Sequence, residues 1–508
     1  MKTYLGIELG STRIKAVSIN ETFTPVSSGD YEWKSSYQNG IWTYDLEDAW
    51  NGIKTALQNV GHRDSIQAIG ISAMMHGFLA FDKDWKLLTP FRTWQNTITG
   101  HAASELTKLF DFNIPQRWSI AHLYQAILNN EDYVSDIAHI TTLAGYIHYM
   151  LTGVNAVGIG EASGIFPIDS ATLDYDNIML MKFDKLISSY NFSWKLTDLL
   201  PKTLVAGETA GSLTKEGAML LDNLLTPGIP FAPAEGDAGT GMTATNAVAP
   251  RTGNVSAGTS IFSMVVLEQP LKHVYEEIDM VATPTGKPVA MVHCNNCTND
   301  SNAWVSLFKE TLELFGANVP TGELYTKLYK KSLEGNPDCG GVLVCNYMAG
   351  ESVTHLDLGR PLVVRKPDSD FSLANFFRAQ LYGAMATLKI GMELLEKEQV
   401  KIDSLTGHGG LFKTPGVGQR YMAAACNTPV TCMTTAGEGG PYGMALLAAF
   451  TQLKVRGELL DDFLANRVFC NVSHSILEPT QVDIDGFNSY MKQYKQLLKV
   501  EKTATELI

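Results

Sequence analysis

The segment YLGIELGSTRIKAVSI (residues 4–19) decides how the rest of the sequence is interpreted. Its two apolar ends flank a short turn at residues 10–13, and this pattern predicts a β-hairpin. A turn with glycine and two hydroxyl residues leaves backbone N–H groups outside the strand ladder, where they can bind phosphate oxygens. Ordinary hairpin turns have the same composition, so the segment alone leaves a structural and a phosphate-binding interpretation open.

The same pattern returns in the second half of the chain as GNVSAGTSIFSMVVL (residues 253–267). Two strand–turn–strand units of this kind predict an internal duplication. Segments with strand and helix periodicity alternate around them, which favours α/β layers. The predicted strands are 65–73 and 430–433, and the predicted helices are 45–60, 116–130, 176–189, 302–315, 323–333, 373–398 and, as the last long helix of the core, 441–452.

The composition is that of a globular protein. Of 508 residues, 45% are hydrophobic and 18% are charged, so we expect at least two domains. The 39 basic and 53 acidic residues give a net charge of −14 without a basic stripe, and we expect no nucleic-acid partner. The longest segment without Asp, Glu, Lys or Arg, 137–160, contains His, Asn and Thr residues, so we expect no membrane span.

The N-terminal residues MKTYLGIELG lack the apolar stretch of a signal peptide, and a cytoplasmic location is expected. The seven cysteines are odd in number and scattered, which favours reduced thiols. Cys294 and Cys297 form the single Cys-x-x-Cys pair. Without a second pair of ligands, buried thiols are a better interpretation of it than a zinc or redox site.

No P-loop or Rossmann glycine pattern is present in the sequence. A third glycine cluster, GHGGLF (407–412), follows a short strand-like segment. Glycine lets a flat base or sugar ring lie directly against the backbone. Together with two candidate phosphate turns, this cluster indicates an adenosine site.

Seven motifs, taken in order, resemble those of the FGGY family of carbohydrate kinases, which belongs to the actin-like ATPase superfamily. They are GIELGSTRIKAV (6–17), ISAMMHG (71–77), EGDAGTGM (235–242), VSAGTS (255–260), FFRAQLYGAM (376–385), GHGGLF (407–412) and NTPVTCM…GGPYGMALLA (427–448). The resemblance implies an α/β fold with two actin-like ATPase (ribonuclease H-like) domains around a central cleft. It implies an N-terminal domain of residues 1–246, with the sugar side and the first phosphate turn, and a C-terminal domain of residues 247–508, with the second turn and the adenosine site.

The resemblance also implies transfer of phosphate from ATP, with Mg²⁺, to a sugar. Asp237 matches the family's proton acceptor and is expected in a loop, although an Asp among glycines is also a common turn cap. Glu8 stands where most members carry the Asp that holds Mg²⁺ through water. Its extra methylene shifts the carboxylate by about 1.5 Å, and the alternative is that Glu8 is only a strand residue.

The remaining nucleotide ligands follow from the same motifs. The resemblance implies that Ser11, Thr12 and Arg13 bind the β- and γ-phosphates from the first turn, and that Gly258 and Thr259 bind them from the second. Adenosine contacts are implied for Gly409 and Gly410.

On the sugar side, Met75, His76 and Gly77 resemble the pair and following glycine of xylulokinases, and Trp94 begins a Trp-Gln-Asn segment where xylulokinases have Trp-Asn-Asp. Asn96 replaces the acid of that segment, and Ser352 replaces the Arg of the family's Gly-Glu-Arg.

The leading hypothesis is therefore a kinase that uses ATP and converts D-xylulose to D-xylulose 5-phosphate. L-Ribulose or another ketose or polyol is the alternative within the family. An actin-like ATPase without a small substrate and a non-catalytic sugar sensor are alternatives of another class. The oligomeric state is left open, with a homodimer as one alternative.

Overall fold

The computed structural model describes residues 1–434 and 439–507, in which two mixed β-sheets of five and seven strands form the framework. The first sheet consists of β1 (Thr3–Leu9), β2 (Arg13–Asn20), β3 (Pro25–Glu32), β4 (Ile66–Ala73) and β5 (Glu235–Gly236). Its strand order is β5–β4–β1–β2–β3. β1, β2 and β3 form an antiparallel meander, and β4 and β5 extend the sheet parallel to β1.

The second sheet repeats this arrangement. Its strands are β6 (Thr252–Ala257), β7 (Ile261–Val266), β8 (Asp279–Ala282), β9 (Pro288–Cys294), β10 (Ser404–His408), β11 (Val430–Met433) and β12 (His474–Leu477). β6, β7 and β9 form the antiparallel meander, and β10 and β11 follow parallel to β6. Both predicted hairpins, β1–β2 and β6–β7, are confirmed, and the shared strand arrangement agrees with the predicted duplication.

Twelve longer helices cover the two sheets in the described part of the chain. They are α1 (Leu46–Asn59), α2 (Gly100–Phe110), α3 (Ser119–Leu128), α4 (Leu143–Thr152), α5 (Asn177–Leu186), α6 (Asp237–Ala244), α7 (Asn299–Leu314), α8 (Thr321–Ser332), α9 (Leu373–Lys397), α10 (Gly418–Cys426), α11 (Gly439–Leu453) and α12 (Gln481–Leu507). The predicted helices are all present within a few residues of their expected bounds. The prediction that the last long core helix is 441–452 is wrong, because α12 follows it and buries Phe487, Tyr490 and Tyr494.

Smaller elements fill the connections. Two-stranded ribbons pair Ser36–Gln38 with Ile41–Thr43, Leu79–Phe81 with His139–Thr141, Ala156–Gly158 with Lys202–Leu204, Ile168–Asp169 with Asp174–Tyr175, and Val342–Cys345 with Leu362–Arg365. Short helices span Ile159–Ala162, Leu196–Leu199, Lys215–Leu220 and Leu460–Phe463.

Helix α11 belongs in sequence to the second half, yet it packs against β1, β4 and α6 of the first. Gly6 on β1 and Gly70 on β4 make this approach feasible, because a Cβ at Gly6 would overlap the backbone of Pro441 and one at Gly70 would overlap Met444. The chain therefore returns to its first sheet after completing most of the second. The division into residues 1–246 and 247–508 stays a prediction.

The fold bears on two expectations from the sequence, one about a membrane span and one about the Cys-x-x-Cys pair. Among the described residues, no helix is both long and apolar enough to cross a membrane. Cys294 and Cys297 are free, buried thiols, and burial raises the pKa of both. The described residues contain no group of three or more His, Cys, Asp or Glu placed to hold a metal.

Candidate active site

The first phosphate-turn candidate lies at the end of the β1–β2 hairpin. Aromatic side chains hold its backbone: Trp33 Nε1 donates to Gly10 O (2.6 Å), and the Tyr44 hydroxyl donates to Ser11 O (2.7 Å). Within the described residues the backbone N–H groups of Ser11 and Thr12 donate no hydrogen bond. Arg13 is turned away, because its guanidinium pairs with Asp30 and Glu32 on β3. The turn thus offers backbone donors, and the Arg13 side chain is already paired.

Asp237 is the first residue of helix α6 rather than part of a loop. The prediction of a loop is wrong because strand β5 ends at Gly236 and the small residues that follow start the helix directly. Its Oδ1 accepts a hydrogen bond from Met75 N (3.0 Å), while the carboxylate reaches the cavity described below. Its position deep in the cleft raises the pKa of Asp237, and the hydrogen bonds from the Met75 and Ala238 N–H groups oppose that rise.

Glu8 lies near the end of β1, close enough to Asp237 for the two charges to interact. Burial raises the pKa of Glu8 to about 8, with a further contribution from the Asp237 charge. Its Oε2 atom is buried and has no hydrogen-bond partner among the described residues. Gly440, at the start of α11, lies against this carboxylate, and a Cβ there would overlap it. An orphaned, hard carboxylate oxygen is a ligand that Mg²⁺ accepts, and Mg²⁺ uses few protein ligands and keeps several waters.

The segment Met75–His76–Gly77 turns sharply beside Asp237. His76 has φ +73° and Gly77 has φ +91°, and a Cβ at Gly77 would approach Arg92 O to 2.8 Å, so glycine is needed there. The His76 ring is buried and stacks on Trp118 with a centroid distance of 6.1 Å. Burial lowers the pKa of His76, as does the nearby Arg117 charge, so the ring is neutral near pH 7.

A cavity of about 790 Å³ lies between the two halves and brings several predicted residues together. The first half contributes Ser11, Met75, His76, Trp94 and Asp237 to its lining, and the second half contributes Ser260, Asp279, His293, Asn295 and Ser352. The other predicted site residues do not line it: Glu8, Thr12, Arg13, Gly77, Gly258, Thr259, Gly409 and Gly410. Trp94 Nε1 donates to Ser11 Oγ (3.3 Å), so the sugar-side segment contacts the first turn.

Asn96 has its side-chain amide occupied by the backbone. Its Oδ1 accepts from Trp42 N (2.8 Å), and its Nδ2 donates to Trp42 O (2.8 Å) and Thr93 O (3.0 Å). The position that carries an acid in xylulokinases therefore has a structural role in this chain.

The residues after β9 hydrogen-bond the backbone carbonyls of the second phosphate-turn candidate. Thr298 donates to Gly258 O through its N–H (3.1 Å) and its hydroxyl (2.7 Å), and Cys297 N donates to Thr259 O (3.0 Å). Gly409, with φ +97°, lies directly beside this turn, and a Cβ there would approach Ala257 O to 2.5 Å. The exposed Gly409 and Gly410 thus border the second turn, and their adenosine contacts stay a prediction.

Arg117 and Asp279, which come from opposite halves and were not predicted as site residues, form an ion pair in the cavity wall. Asn113 joins it by donating to Ile278 O (3.0 Å) and to Asp279 Oδ1 (3.3 Å). Burial raises the pKa of Asp279, and the Arg117 charge opposes that rise. The available signal was the acidic residue Asp279 at the start of an otherwise apolar strand.

Two family models match the chain, one for each half. The N-terminal domain of the FGGY family of carbohydrate kinases matches residues 3–243, and the C-terminal domain of the same family matches residues 253–452. The chain belongs to the FGGY family of carbohydrate kinases. The kinase is 22% identical over 512 residues to a xylulose kinase of Haemophilus influenzae, a match that covers 97% of this chain and 98% of the relative.

Two solved structures from Lactobacillus acidophilus resemble the kinase equally well. A ligand-bound xylulose kinase has a TM-score of 0.80 and a gluconate kinase has 0.79, each at 16% identity and covering 98% of both chains. The predicted fold, with two actin-like α/β domains, is confirmed, and the protein is a sugar phosphotransferase. The fold does not distinguish the sugar. Residues 435–438 of the last sequence motif lie outside the described residues.

Proposed function

We propose that this FGGY kinase transfers the γ-phosphate of ATP to a neutral ketose, with D-xylulose as the leading substrate and D-xylulose 5-phosphate as the product. The observation that carries the proposal is the position of Asp237, which reaches a cavity lined by Met75 and His76 and by Ser11 of the first turn. A carboxylate in that position is able to accept the proton of a sugar hydroxyl while the nucleotide lies beside it.

In the proposed mechanism the protein mainly orients the reactants. The Met75 N–H group orients the Asp237 carboxylate, which takes the hydroxyl proton. His76, held neutral by burial, hydrogen-bonds a sugar hydroxyl, and Trp94 covers the opening and excludes water. Such positioning accounts for most of the catalysis in phosphoryl transfer.

The nucleotide is assigned to the two turns and the glycine cluster. Backbone donors of Ser11 and Thr12 face the terminal phosphates from one half, and the Thr259 N–H faces them from the other, beside Gly258, whose own N–H is bonded to Ser260 O (2.9 Å). Gly409 and Gly410 support the adenosine. Arg13 contributes through its backbone, because its side chain is paired with carboxylates.

Glu8 would hold the Mg²⁺ that accompanies ATP, either directly or through water. When bound, Mg²⁺ neutralises charge on the phosphates. It would also favour the ionised form of Glu8, whose neutral form burial otherwise favours.

The charge of the cavity supports a neutral sugar over an aldonate. Its lining includes Asp237, Glu276, Glu277 and Asp279, and the guanidinium of Arg117 is already paired with Asp279. Among the described residues that line the cavity, no Lys or Arg besides Arg117 is present to balance a sugar carboxylate. L-Ribulose and other ketoses or polyols stay as alternatives, because the Asn96 amide is bound to backbone and does not select among them. The predicted cytoplasmic location and the homodimer left open stay predictions.

The proposal is tested by measuring ADP formation with a panel of ketoses, polyols and aldonates. We expect turnover with D-xylulose or a related ketose and none with gluconate, and Asp237→Asn should abolish sugar-dependent turnover without weakening ATP binding. Asp176→Asn changes an Asp at the start of α5, outside the cavity, and should leave both unchanged. Substantial turnover in Asp237→Asn would exclude Asp237 as the base, and sugar binding by the wild type without phosphate transfer would favour the sensor.

A further inference from the structure

Glu351 is a buried carboxylate that the proposed mechanism does not use. The residue is 1% exposed, and its Oε2 atom accepts hydrogen bonds from Asn296 N (3.2 Å) and Asn296 Nδ2 (3.1 Å). Burial raises the pKa of Glu351 to about 7, and the hydrogen bonds from Asn296 oppose the rise. Burying a carboxylate is unfavourable for folding unless hydrogen bonds compensate it, and Asn296 supplies them here.

Asn296 connects two segments of the second half. It is 2% exposed, its Oδ1 accepts from Met348 N (2.9 Å) and Ala349 N (3.0 Å), and its Nδ2 also donates to Ala349 O (3.1 Å). The amide therefore hydrogen-bonds four backbone groups, with Gly350 O (3.5 Å) as the fourth, as well as the Glu351 carboxylate. Residues 294–298 and residues 346–352 are held together as one unit.

This unit of residues 294–298 and 346–352 contacts both the proposed sugar cavity and the second phosphate turn. Asn295 and Ser352, which flank the two buried residues, line the cavity, and Asn295 Nδ2 donates to Gly350 O (2.9 Å). On the other side, Cys297 and Thr298 donate to the carbonyls of Thr259 and Gly258. A single short segment thus runs from the sugar cavity to the second phosphate turn.

We infer that Asn296 and Glu351 are positioning residues, which fix the turn at Gly258 and Thr259 relative to the sugar cavity. The inference rests on the proposed role of that turn in binding phosphate. Neither residue touches substrate: each acts through Cys297 and Thr298. If they only stabilised the fold, their loss would lower the melting temperature without a specific effect on the nucleotide.

The test compares variants of these residues with matched controls in the same half. Asn375 is a buried Asn (1% exposed) that also joins two backbone segments, through Asn336 N (2.7 Å) and Asp370 O (2.8 Å). Glu501 is a buried Glu that accepts from a backbone N–H, of Arg360, through Oε1. Neither residue lines the cavity.

Binding of Mg·ADP is measured by calorimetry with and without D-xylulose, beside KM for ATP, kcat and the melting temperature. In Asn296→Ala and Glu351→Ala we expect the Kd of Mg·ADP to rise on the order of tenfold, as when a buried hydrogen bond is lost. Glu351→Gln should recover most of the affinity, because its amide oxygen still accepts from Asn296. Asn375→Ala and Glu501→Ala, the matched controls for Asn296→Ala and Glu351→Ala, should alter the melting temperature and leave the Kd unchanged.

Thr298→Val removes only the hydroxyl bond to Gly258 and serves if the alanine variants fail to fold. We expect a smaller rise in Kd from it at an unchanged melting temperature. An unchanged Kd in Thr298→Val, or, where the alanine variants fold, equal effects of Asn296→Ala and Asn375→Ala on the Kd, would overturn the inference. Wild-type protein that binds no Mg·ADP would overturn the proposed function instead, so the two failures are distinguishable.

Discussion

Glu8 and Gly440 are matched in size, since the longer acidic side chain occupies the space that a Cβ at Gly440 would take. Shortening the acid in Glu8→Asp withdraws the carboxylate by about 1.5 Å, and we expect the Mg²⁺ concentration for half-maximal activity to rise. Gly440→Ala alone should reduce activity through overlap with Glu8, and the double variant should be more active than the sum of the single losses predicts. A Mg²⁺ titration of ADP formation measures all four proteins. Purely additive losses would show that the two residues do not share this space.

His122 offers a second test at the residue scale, in acid. Both ring nitrogens are buried without hydrogen-bond partners among the described residues, and burial lowers the pKa of His122 to about 3. The folded state favours the neutral ring, so its contribution to stability is full above pH 6.5, the ordinary pKa, and is lost as the pH falls from there toward 3 at about 1.4 kcal/mol per unit. His122→Leu removes this titration. Relative to wild type, its melting temperature should rise more at pH 5.5 than at pH 8. A parallel shift at both pH values would show that His122 is not the group responsible.

At the scale of elements, the contact between α11 and the first sheet depends on glycines. We expect Gly6→Ala to destabilise the kinase by about 1 to 3 kcal/mol, as overpacking does, because its Cβ would overlap helix backbone that is unable to move aside. Gly322 provides the control, since it lies in α8 with open space around its Cα, and Ala there favours the helix by about 1 kcal/mol. Thermal unfolding monitored by circular dichroism compares the two. A Gly6→Ala protein as stable as wild type would mean that α11 does not pack this closely.

The elements also show how far sequence reasoning reaches. The two hairpins and most helices were predictable because their signals are local: alternating apolar residues with a Gly-Ser/Thr turn, or a helical period. Helix α12 carried such a period and was missed. Two features could not be predicted from local sequence patterns: the packing of α11 on the first sheet, and the position of Asp237 in a helix. Both depend on long-range contacts, at Gly6 and at Gly236 respectively. Among site residues, Ser11, Met75, His76 and Asp237 converge on one cavity because each follows a strand of the first sheet at the same edge. Trp94 reaches the same cavity from a loop.

At the scale of the whole molecule, the cavity wall that joins the halves was not readable from the sequence. Arg117 and Asp279 are 162 positions apart, and neither lies in a motif. They are neighbours only because strand β8 of the second half reaches the loop between α2 and α3 of the first. This ion pair joins the two halves across the cavity.

The volume of the cavity bears on whether the two halves close when substrates bind. About 790 Å³ is within the range for drug-sized ligands, and a five-carbon sugar is smaller, so water would share the space and compete as phosphoryl acceptor. We therefore expect the halves to close when both substrates bind. X-ray scattering should give a smaller radius of gyration with D-xylulose and Mg·ADP together than with either alone. The variant Arg117→Gln leaves Asp279 buried without its cation. It should weaken the closure and raise ATP hydrolysis relative to sugar phosphorylation. Identical scattering with and without both ligands, combined with negligible hydrolysis in the variant, would mean that the cleft excludes water without closing.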